Sequence, residues 1–512
     1  MNERSDRTQT SSFGVGRREG HDASTFYARF APPELSDDET VNRPDALIDK
    51  LGSGAALVGS SADMSELPDN SVALVITSPP YFVGKEYELA VTGDADGVSQ
   101  IPGSYLEFLD MLRDVFAECR RVLEPGGRIA VNVANLGRKP YRSLSADVIS
   151  ILQDDLGLLL RGEVIWEKAS TSSGSCAWGS FAKASNPVLR DMTERVIIAS
   201  KGRFSRALTT KQRERQGLPY ESTITNDEFL DVTRDVWRID AESATRIGHP
   251  APFPIELPRR LIDLYSYTGD IVLDPFLGSG TTLVAAARAG RIGVGYDTDP
   301  AFASLAEQRL DAELERIDRL DAAVGSLDQR PIEQQREIVG SLSIDDRQEF
   351  FQALAVSEGK KVQDLAERRL HEAGFGDIRA KAKHSPGILE FDFQIVSPAS
   401  GTRWWVDASG AFTSSRPGLQ RIDAVWKLLG RLNVLQAMSG ASTERAIVLT
   451  SSLPRVGSPA HKALRAVGPE VIFDLIEIYD PAGLERLRRY ATDPDPVPLV
   501  GFWSEEDLSR NS

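Results

Sequence analysis

Short apolar runs alternate along residues 55–312 with stretches in which apolar residues recur every three or four positions. The runs "AALVGS", "VALVIT" and "RIAVNV" are typical of buried strands, whereas "YLEFLDMLRDVFAECRRVL" has the period of an amphipathic helix. After a polar, irregular stretch, the alternation resumes with a helix at 254–266, a strand at 270–274, a helix at 281–290 and a strand at 291–297. Strands that alternate with helices predict an α/β fold with a wound, parallel sheet.

The pattern changes at both ends of the chain, and its 512 residues predict two or three domains. Residues 1–45 are polar, mixed in charge and rich in Ser, Asp and Pro, so we expect a flexible arm there. The domain at 46–312 is followed by a charged helical linker at 313–344. A further α/β segment, 345–512, contains the apolar runs "AIVLTS" and "EVIFDLIEIYD".

Composition restricts the class of protein. The net charge of −16 argues against a protein that coats nucleic acid through bulk charge, but it allows a local basic groove. Cys119 and Cys176 lie far apart and outside any CxxC pair, so we expect neither a disulfide framework nor a cysteine zinc site. The N-terminus lacks the apolar core of a secretory signal, and no apolar run is long enough for a membrane span. These features favour a cytoplasmic protein without a membrane partner.

A glycine-rich turn joins a strand to a helix in "DIVLDPFLGSGTTLVAAARA". Its glycines allow a tight turn and a close approach to a ligand, and Thr281 and Thr282 are expected to cap the helix. No GK[ST] follows, so this is not a Walker loop. The next strand ends in Asp297 and Asp299, where wound α/β folds bind a ribose hydroxyl. The predicted cofactor-binding residues are Asp274, Phe276, Gly278, Ser279, Gly280, Thr281 and Asp297.

A second special sequence, Ser78-Pro79-Pro80-Tyr81, directly follows the apolar strand "VALVIT". In a parallel sheet both this loop and the glycine loop lie at the carboxyl ends of strands, where ligands bind. We therefore expect the two loops to face one cleft.

These two loops, in this order, resemble the beta-class DNA amino-methyltransferases. The resemblance covers residues 46–312 and includes "LPDNSVALVITSPPY", "RVLEPGGRIAVNV", "SNPVLRDMTERVIIASKG" and "DIVLDPFLGSGTT". It implies a Rossmann-like methyltransferase fold with a circularly permuted motif order, S-adenosyl-L-methionine as cofactor and double-stranded DNA as substrate. It also implies a target-recognition region at about 169–245.

The resemblance implies a role for each residue of the catalytic loop. Ser78 Oγ and the Pro79 carbonyl accept the protons of an exocyclic amine, while the two prolines hold the carbonyl in one direction. Tyr81 stacks on the target base after the base is flipped from the duplex. A serine at position 78 favours cytosine N4 as the methylated atom, and adenine N6 is the alternative. The family's Gly-Asp after the first strand is Gly59-Ser60 here, and Asp63 is a candidate substitute for the missing acid.

The target-recognition region contains a basic strip in "KGRFSRALTTKQRERQ", with a single acid, Glu214. We interpret this strip as a contact to DNA phosphates, with a solvated loop as the alternative. Its predicted DNA-binding residues are Lys201, Arg203, Arg206, Lys211, Arg213 and Arg215. Trp178 and Phe181, in a Gly/Ser-rich stretch, are candidates to follow a groove or pack on the flipped base.

The segment 345–512 resembles the PD-(D/E)xK nuclease fold, a restriction-endonuclease-like α/β domain. Asp392 and Asp407 match its two metal-binding acids, but Ser409 takes the place of the lysine that activates water. Lys427, on the following helix, is a candidate migrated lysine. Mg²⁺ is implied only if this domain is an active nuclease. We expect that it does not cleave DNA and that Trp404 and Trp405 are core residues.

Taken together, the sequence predicts a sequence-specific DNA methyltransferase of a bacterial modification or restriction-modification system. A bifunctional enzyme with an active nuclease and a non-catalytic DNA-binding or scaffold protein are the alternatives. A separate restriction endonuclease and a second copy of the chain are both candidate partners.

Overall fold

The computed structural model describes most of the chain and divides it into two compact units. The first contains residues 1–223 and 234–310, and the second contains 224–233 and 311–512. The described residues are 35–80, 104–135, 141–168, 184–187, 189, 192–224, 226–240, 253–327, 339, 342, 346–347, 350, 362–385, 389–409, 418–420, 422–439 and 445–509.

The first unit is built on an eight-stranded sheet with the strand order β1-β8-β7-β2-β3-β5-β4-β6. The strands are β1 Gly54–Val58, β2 Val72–Thr77, β3 Leu123–Val133, β4 Leu159–Lys168, β5 Thr193–Ser200, β6 Val236–Ile239, β7 Ile271–Asp274 and β8 Ile292–Asp297. The central strands β2 and β7 are buried along their whole length, as their unbroken apolar sequences predict. Their chain positions lie far apart, yet they pair in parallel.

Helices flank this sheet or connect its strands. They are α1 Asp45–Leu51, α2 Tyr105–Val122, α3 Leu144–Ser150 (continued by a π-helical turn, Ile151–Asp155), α4 Thr210–Arg215, α5 Asn226–Val232, α6 Glu256–Tyr265, α7 Thr281–Arg288 and α8 Pro300–Leu327. Helix α5 and the part of α8 beyond Leu310 belong to the second unit. Helix α2 begins with a capping box between Ser104 and Glu107, and it buries one apolar face that includes Phe108, Leu112 and Phe116.

The sheet is mixed rather than wholly parallel, so the prediction of a parallel sheet is wrong in part. Strand β5 runs antiparallel to both of its neighbours, β3 and β4. The last residue of β5, Ser200, therefore lies at the end of the sheet where the parallel strands have their first residues. This reversal decides where the residues after Ser200 lie.

The second unit contains a five-stranded sheet with the order β13-β12-β11-β10-β9. Its strands are β9 Gly376–Ser385, β10 Leu389–Val396, β11 Arg403–Ser409, β12 Arg445–Thr450 and β13 Asp474–Glu477, and its further helices are α9 Val362–Ala373, α10 Ile422–Ser439, α11 Pro459–Val467, α12 Pro481–Thr492 and α13 Glu505–Ser509. The pairs β9–β10 and β10–β11 are antiparallel, whereas β11–β12 and β12–β13 are parallel. Trp404 and Trp405 are buried on this sheet, which confirms them as core residues.

Residues 36–42, which the sequence predicts to be part of a flexible arm, are hydrogen-bonded to the first unit. Ser36 N donates to Gly202 O, and Asn42 N donates to Asn70 O, so this stretch is fastened to the first unit. Residues 1–34 lie outside the described part of the chain. Among the described helices, none combines the length and apolar character that crossing a membrane requires.

Candidate active site

The catalytic loop predicted from the sequence begins at the carboxyl end of β2. Thr77, the last residue of the strand, is fully buried, Ser78 is half-buried and Pro79 is buried. Tyr81 lies outside the described residues, so its stacking role stays a prediction.

The glycine loop begins beside it, at the carboxyl end of β7. Because β2 and β7 are parallel neighbours, with Leu74 opposite Val272 and Val75 opposite Leu273, both loops leave the same edge of the sheet. The two loops are separated by almost 200 positions in the sequence, and the fold brings the last residues of the strands before them, Thr77 and Asp274, into contact.

That contact is made by the carboxylate of Asp274. Its Oδ1 accepts hydrogen bonds from Thr77 Oγ1 at 2.9 Å and from the Phe276 backbone N at 3.1 Å. Its Oδ2 accepts from Thr282 Oγ1 at 2.6 Å. Both carboxylate oxygens are thus engaged within the protein, so Asp274 supports the loops rather than presenting a free acid to a ligand.

Burial dominates the electrostatics of this carboxyl group. Asp274 is inaccessible to solvent, and no cation is among the groups that shift its pKa. Burial raises its pKa to about 7, against the opposing effect of the hydrogen bonds from Thr282 and Thr77. Among the described residues, the hydrogen bonds from Thr77, Phe276 and Thr282 are what favours the charged form.

The turn after β7 requires glycine at two positions. Gly278 and Gly280 have φ angles of 51° and 76°, a region that favours glycine. A Cβ atom at Gly280 would also lie 2.6 Å from the Cβ of Ala306 on α8. Gly280 is the N-cap of α7, and no side chain caps this helix. The expectation that Thr281 and Thr282 cap it is therefore wrong, because Thr282 directs its hydroxyl to Asp274.

Asp297 lies at the end of β8, next to the glycine turn. Its Oδ2 accepts from Gly278 N and its Oδ1 from Asp299 N, each at 2.9 Å. Burial raises the pKa of Asp297, while the two backbone hydrogen bonds lower it. Asp299 has a different place, because its Oδ1 accepts from Ala301 N at the start of α8.

Further residues hold the glycine turn, and sequence reasoning missed them. Ser61 Oγ donates to Pro275 O at 2.7 Å, and Arg309 on α8 donates to Ser279 O. Ser60 and Asp63, the candidates for the missing family acid, are exposed and accept backbone hydrogen bonds within their own turn. A role for either in binding adenosine stays a prediction.

The basic strip lies away from this edge of the sheet, and its interpretation as a phosphate-binding surface is wrong for three of its residues, Lys201, Arg206 and Arg213. Lys201 Nζ donates to Asn70 Oδ1 and to the carbonyls of Arg121 and Leu123. Arg203 donates to Asp38 O but keeps 24% of its side chain exposed, so a phosphate contact by Arg203 stays a prediction. Because β5 is antiparallel, this segment follows the edge where β3 and β7 begin, opposite the two loops.

Arg206 and Arg213 form a buried ion-pair cluster with Glu124 and Asp270. Arg213 Nη2 lies 3.0 Å from Asp270 Oδ1, and only 1% of the Arg213 side chain is exposed. The two arginines therefore compensate the two buried acids inside the protein instead of contacting DNA phosphates. Lys211 and Arg215 are exposed, and a phosphate contact by these two stays a prediction.

In the second unit, Asp392 and Asp407 lie on the neighbouring antiparallel strands β10 and β11. Asp392 Oδ2 accepts from Ala408 N at 2.8 Å, and Asp407 forms an ion pair with Arg431 on α10. Lys427, the candidate migrated lysine, is exposed, so Arg431 takes the place expected for it. Among the described residues, no group of three or more metal-ligating side chains is found.

Comparison with known proteins finds DNA methylases. Residues 72–308 match the DNA methylase family model for N6- and N4-type methyltransferases. Type II methyltransferase M.MthZI of Methanothermobacter thermautotrophicus is 32% identical over 276 residues, which are 50% of this chain and 76% of that protein. M.MjaI of Methanocaldococcus jannaschii is 29% identical over 289 residues, or 51% of this chain and 92% of that protein.

Among solved structures, TTHA0409 of Thermus thermophilus, determined in complex with S-adenosyl-L-methionine, is 30% identical with a TM-score of 0.38. The match covers 51% of this chain and 94% of that one. The family match covers both loops, and the M.MthZI relationship extends over about three quarters of that protein. The chain therefore belongs to the DNA methylase family, and it is a site-specific DNA methyltransferase.

Proposed function

We propose that the chain transfers a methyl group from S-adenosyl-L-methionine to an exocyclic amine of a base flipped out of double-stranded DNA. The observation that carries this proposal is the parallel pairing of β2 with β7, because it starts the catalytic loop and the glycine loop side by side. A donor bound at one loop and an amine held at the other would then be neighbours.

The residues at the glycine turn fit this cofactor. Gly278 and Gly280 remove Cβ atoms from the turn, and Asp297 places a carboxylate beside it. Each oxygen of Asp297 accepts one backbone hydrogen bond, and each keeps a second lone pair that could accept from a ribose hydroxyl. When bound, the cofactor supplies a methyl group on a positively charged sulfur.

The catalytic loop supplies acceptors for the amine. Ser78 Oγ and the Pro79 carbonyl accept the two N–H groups, which turns the nitrogen lone pair toward the methyl group. Pro79 and Pro80 limit the directions of that carbonyl, and Tyr81 stacks on the flipped base. No covalent enzyme intermediate is needed, in keeping with the one described cysteine, Cys119, which is fully buried.

We infer that the methylated atom is cytosine N4. The inference rests on Ser78, because in the family that the chain resembles a serine before Pro-Pro-Tyr is commoner in cytosine-N4 enzymes and an aspartate is commoner in adenine-N6 enzymes. Mass spectrometry of nucleosides from DNA methylated by the purified protein will identify the product. N4-methylcytosine is the expected result, and N6-methyladenine as sole product would reverse the choice of base while leaving the roles of Ser78 and Pro79 intact.

Asp297→Ala is expected to weaken cofactor binding about 10- to 100-fold, because a charged acceptor contributes ~1.5–3 kcal/mol. Asp299→Ala is the matched control: it removes an acid two positions away whose hydrogen bond is to the backbone of α8. Isothermal calorimetry with S-adenosyl-L-methionine measures both. Equal affinity of Asp297→Ala and the parent protein would contradict the assignment of Asp297.

The second unit resembles the PD-(D/E)xK nuclease fold in its order of one helix, three antiparallel strands, a helix and a parallel strand. We propose that it contacts DNA or a partner without cleaving DNA. Arg431 forms an ion pair with Asp407. A divalent cation would need this carboxylate as a ligand, and the guanidinium already occupies it.

Plasmid DNA incubated with the protein and Mg²⁺ is accordingly expected to stay supercoiled. The control is the Asp407→Ala variant, which must give the same result if the site is inactive. Nicking by the parent protein that Asp407→Ala abolishes would show an active nuclease and a bifunctional restriction-modification enzyme.

We place the enzyme in a bacterial DNA modification or restriction-modification system, with a separate endonuclease or a second copy of the chain as candidate partners. Single-molecule sequencing of host DNA, with and without the gene, tests this placement. The expected result is one modified sequence motif that disappears with the gene.

A further inference from the structure

We propose that Thr77 and Asp274 are positioning residues whose hydrogen bond sets the catalytic loop at its working distance from the cofactor loop. The proposal rests on the proposed function, since it assumes that the amine is held by the loop after Thr77 and the methyl donor by the loop after Asp274. Neither residue is expected to touch the DNA base.

The bridge has a suitable place in the fold. Thr77 is the last residue of β2 and directly precedes Ser78, while Asp274 is the last residue of β7 and opens the glycine turn. The paired backbone positions of β2 and β7 are Leu74 with Val272 and Val75 with Leu273. The hydrogen bond from Thr77 Oγ1 to Asp274 Oδ1 therefore continues the pairing toward the two loops, beyond these paired backbone positions.

The same carboxylate also fixes the cofactor loop. Phe276 N donates to its Oδ1 within the turn, and Thr282 Oγ1 donates to its Oδ2 from the first turn of α7. One group is thus bonded to the end of the strand that precedes Ser78, to the turn that contains Gly278 and to the helix that follows. A shift of β2 relative to β7 would stretch one of these bonds.

Burying the Asp274 carboxylate lowers the stability of the fold, so stability alone does not explain why this acid is present. Asp274 has no ion-pair partner among the described residues, and burying a carboxylate without a cation is unfavourable. Valine at position 77 and an uncharged residue at position 274 would suit a buried sheet better. The cost is understandable if the acid aligns two groups that must react, since a displacement of about 1 Å can lower a rate 100-fold.

The test compares variants of Thr77 that keep or remove the donor. Thr77→Val retains the side-chain shape but loses the hydroxyl, whereas Thr77→Ser retains it. Thr450→Val is the control for the loss of a buried hydroxyl, because Thr450 is also a fully buried last residue of a strand but lies in β12 of the second unit. For each protein, kcat is measured with labelled cofactor and DNA from cells that lack the enzyme, the cofactor Kd by calorimetry and the Tm by scanning calorimetry.

Thr77→Val is expected to lower kcat about 10-fold or more while the cofactor Kd changes less than about 3-fold, because the lost bond aligns groups without binding either. Thr77→Ser and Thr450→Val are expected to keep kcat within about 3-fold of the parent value. An unchanged kcat for Thr77→Val overturns the proposal. An equal loss of kcat in Thr77→Ser, or a loss explained by a parallel loss of cofactor affinity, overturns it as well.

Two further variants keep the outcomes separate. If Thr77→Val does not fold, Thr77→Cys replaces it, because a thiol of similar size is a weak hydrogen-bond donor. Ser78→Ala, measured in parallel, tests the proposed function itself. An active Ser78→Ala enzyme means that the assignment of the catalytic loop has failed, whereas an inactive Ser78→Ala beside a fully active Thr77→Val means that only the positioning role has failed.

Discussion

Ser78→Ala is expected to lower kcat about 100-fold and to leave the affinity for S-adenosyl-L-methionine nearly unchanged. Removing one preorganised hydrogen-bonding group from an active site typically has an effect of this order. The hydroxyl meets the amine only when the base is in place, so its loss raises the barrier of the chemical step without weakening cofactor binding. Single-turnover kinetics and calorimetry measure the two quantities separately.

The matched control for this variant is Ser65→Ala. Ser65 is an exposed serine in the turn after β1, and removal of its hydroxyl should leave both quantities unchanged. A Ser78→Ala enzyme with the parent kcat would remove Ser78 from the mechanism. Equal losses of kcat/KM and of cofactor affinity would instead make Ser78 part of the cofactor site.

The central strands of the first unit could be predicted almost to the residue. "VALVIT" became β2 and "DIVLD" became β7, because a strand buried on both faces needs an unbroken apolar run that few other elements share. The direction of β5 could not be predicted in this way, since "ERVIIASK" has the same pattern of buried positions whether the strand runs up or down the sheet.

That one reversal explains the wrong interpretation of the basic strip. A parallel β5 would have released Lys201 and the following residues at the edge with Ser78 and Gly278. The antiparallel strand releases them at the opposite edge, where Glu124 and Asp270 accept Arg206 and Arg213. Charge density along the chain showed that these arginines need partners, but it did not distinguish phosphates from buried carboxylates.

The candidate site was found through its loops, whereas the contact between the loops was not predicted. The sequence predicts Thr77 to be the last residue of a strand. The residues around it do not indicate that its hydroxyl donates to an acid almost 200 residues away. Similarly, helical spacing places Lys427 and Arg431 on the same side of α10, four residues apart. Only the packing of α10 shows that Arg431 is the one that reaches Asp407.

Arg213→Met is expected to lower the free energy of unfolding by about 3–5 kcal/mol, which is typical when one partner of a buried ion pair is removed. Methionine replaces much of the apolar stem but leaves Glu124 and Asp270 with Arg206 as their remaining partner in the cluster. Burial already raises the pKa of Glu124, with Asp270 adding to it, so the loss of a cation leaves two buried acids that repel each other.

Arg215→Met is the control for this substitution, because Arg215 lies two positions away on the same short helix and is exposed. It is expected to change stability by less than about 0.5 kcal/mol. Urea unfolding of both variants, followed in the transition of the first unit, gives the comparison. The double variant Arg213→Met with Glu124→Gln should recover part of the loss, because it removes one of the uncompensated charges. If Arg213→Met unfolds at the parent urea concentration but needs less salt to release DNA, Arg213 binds phosphate after all and the buried cluster does not stabilise the fold.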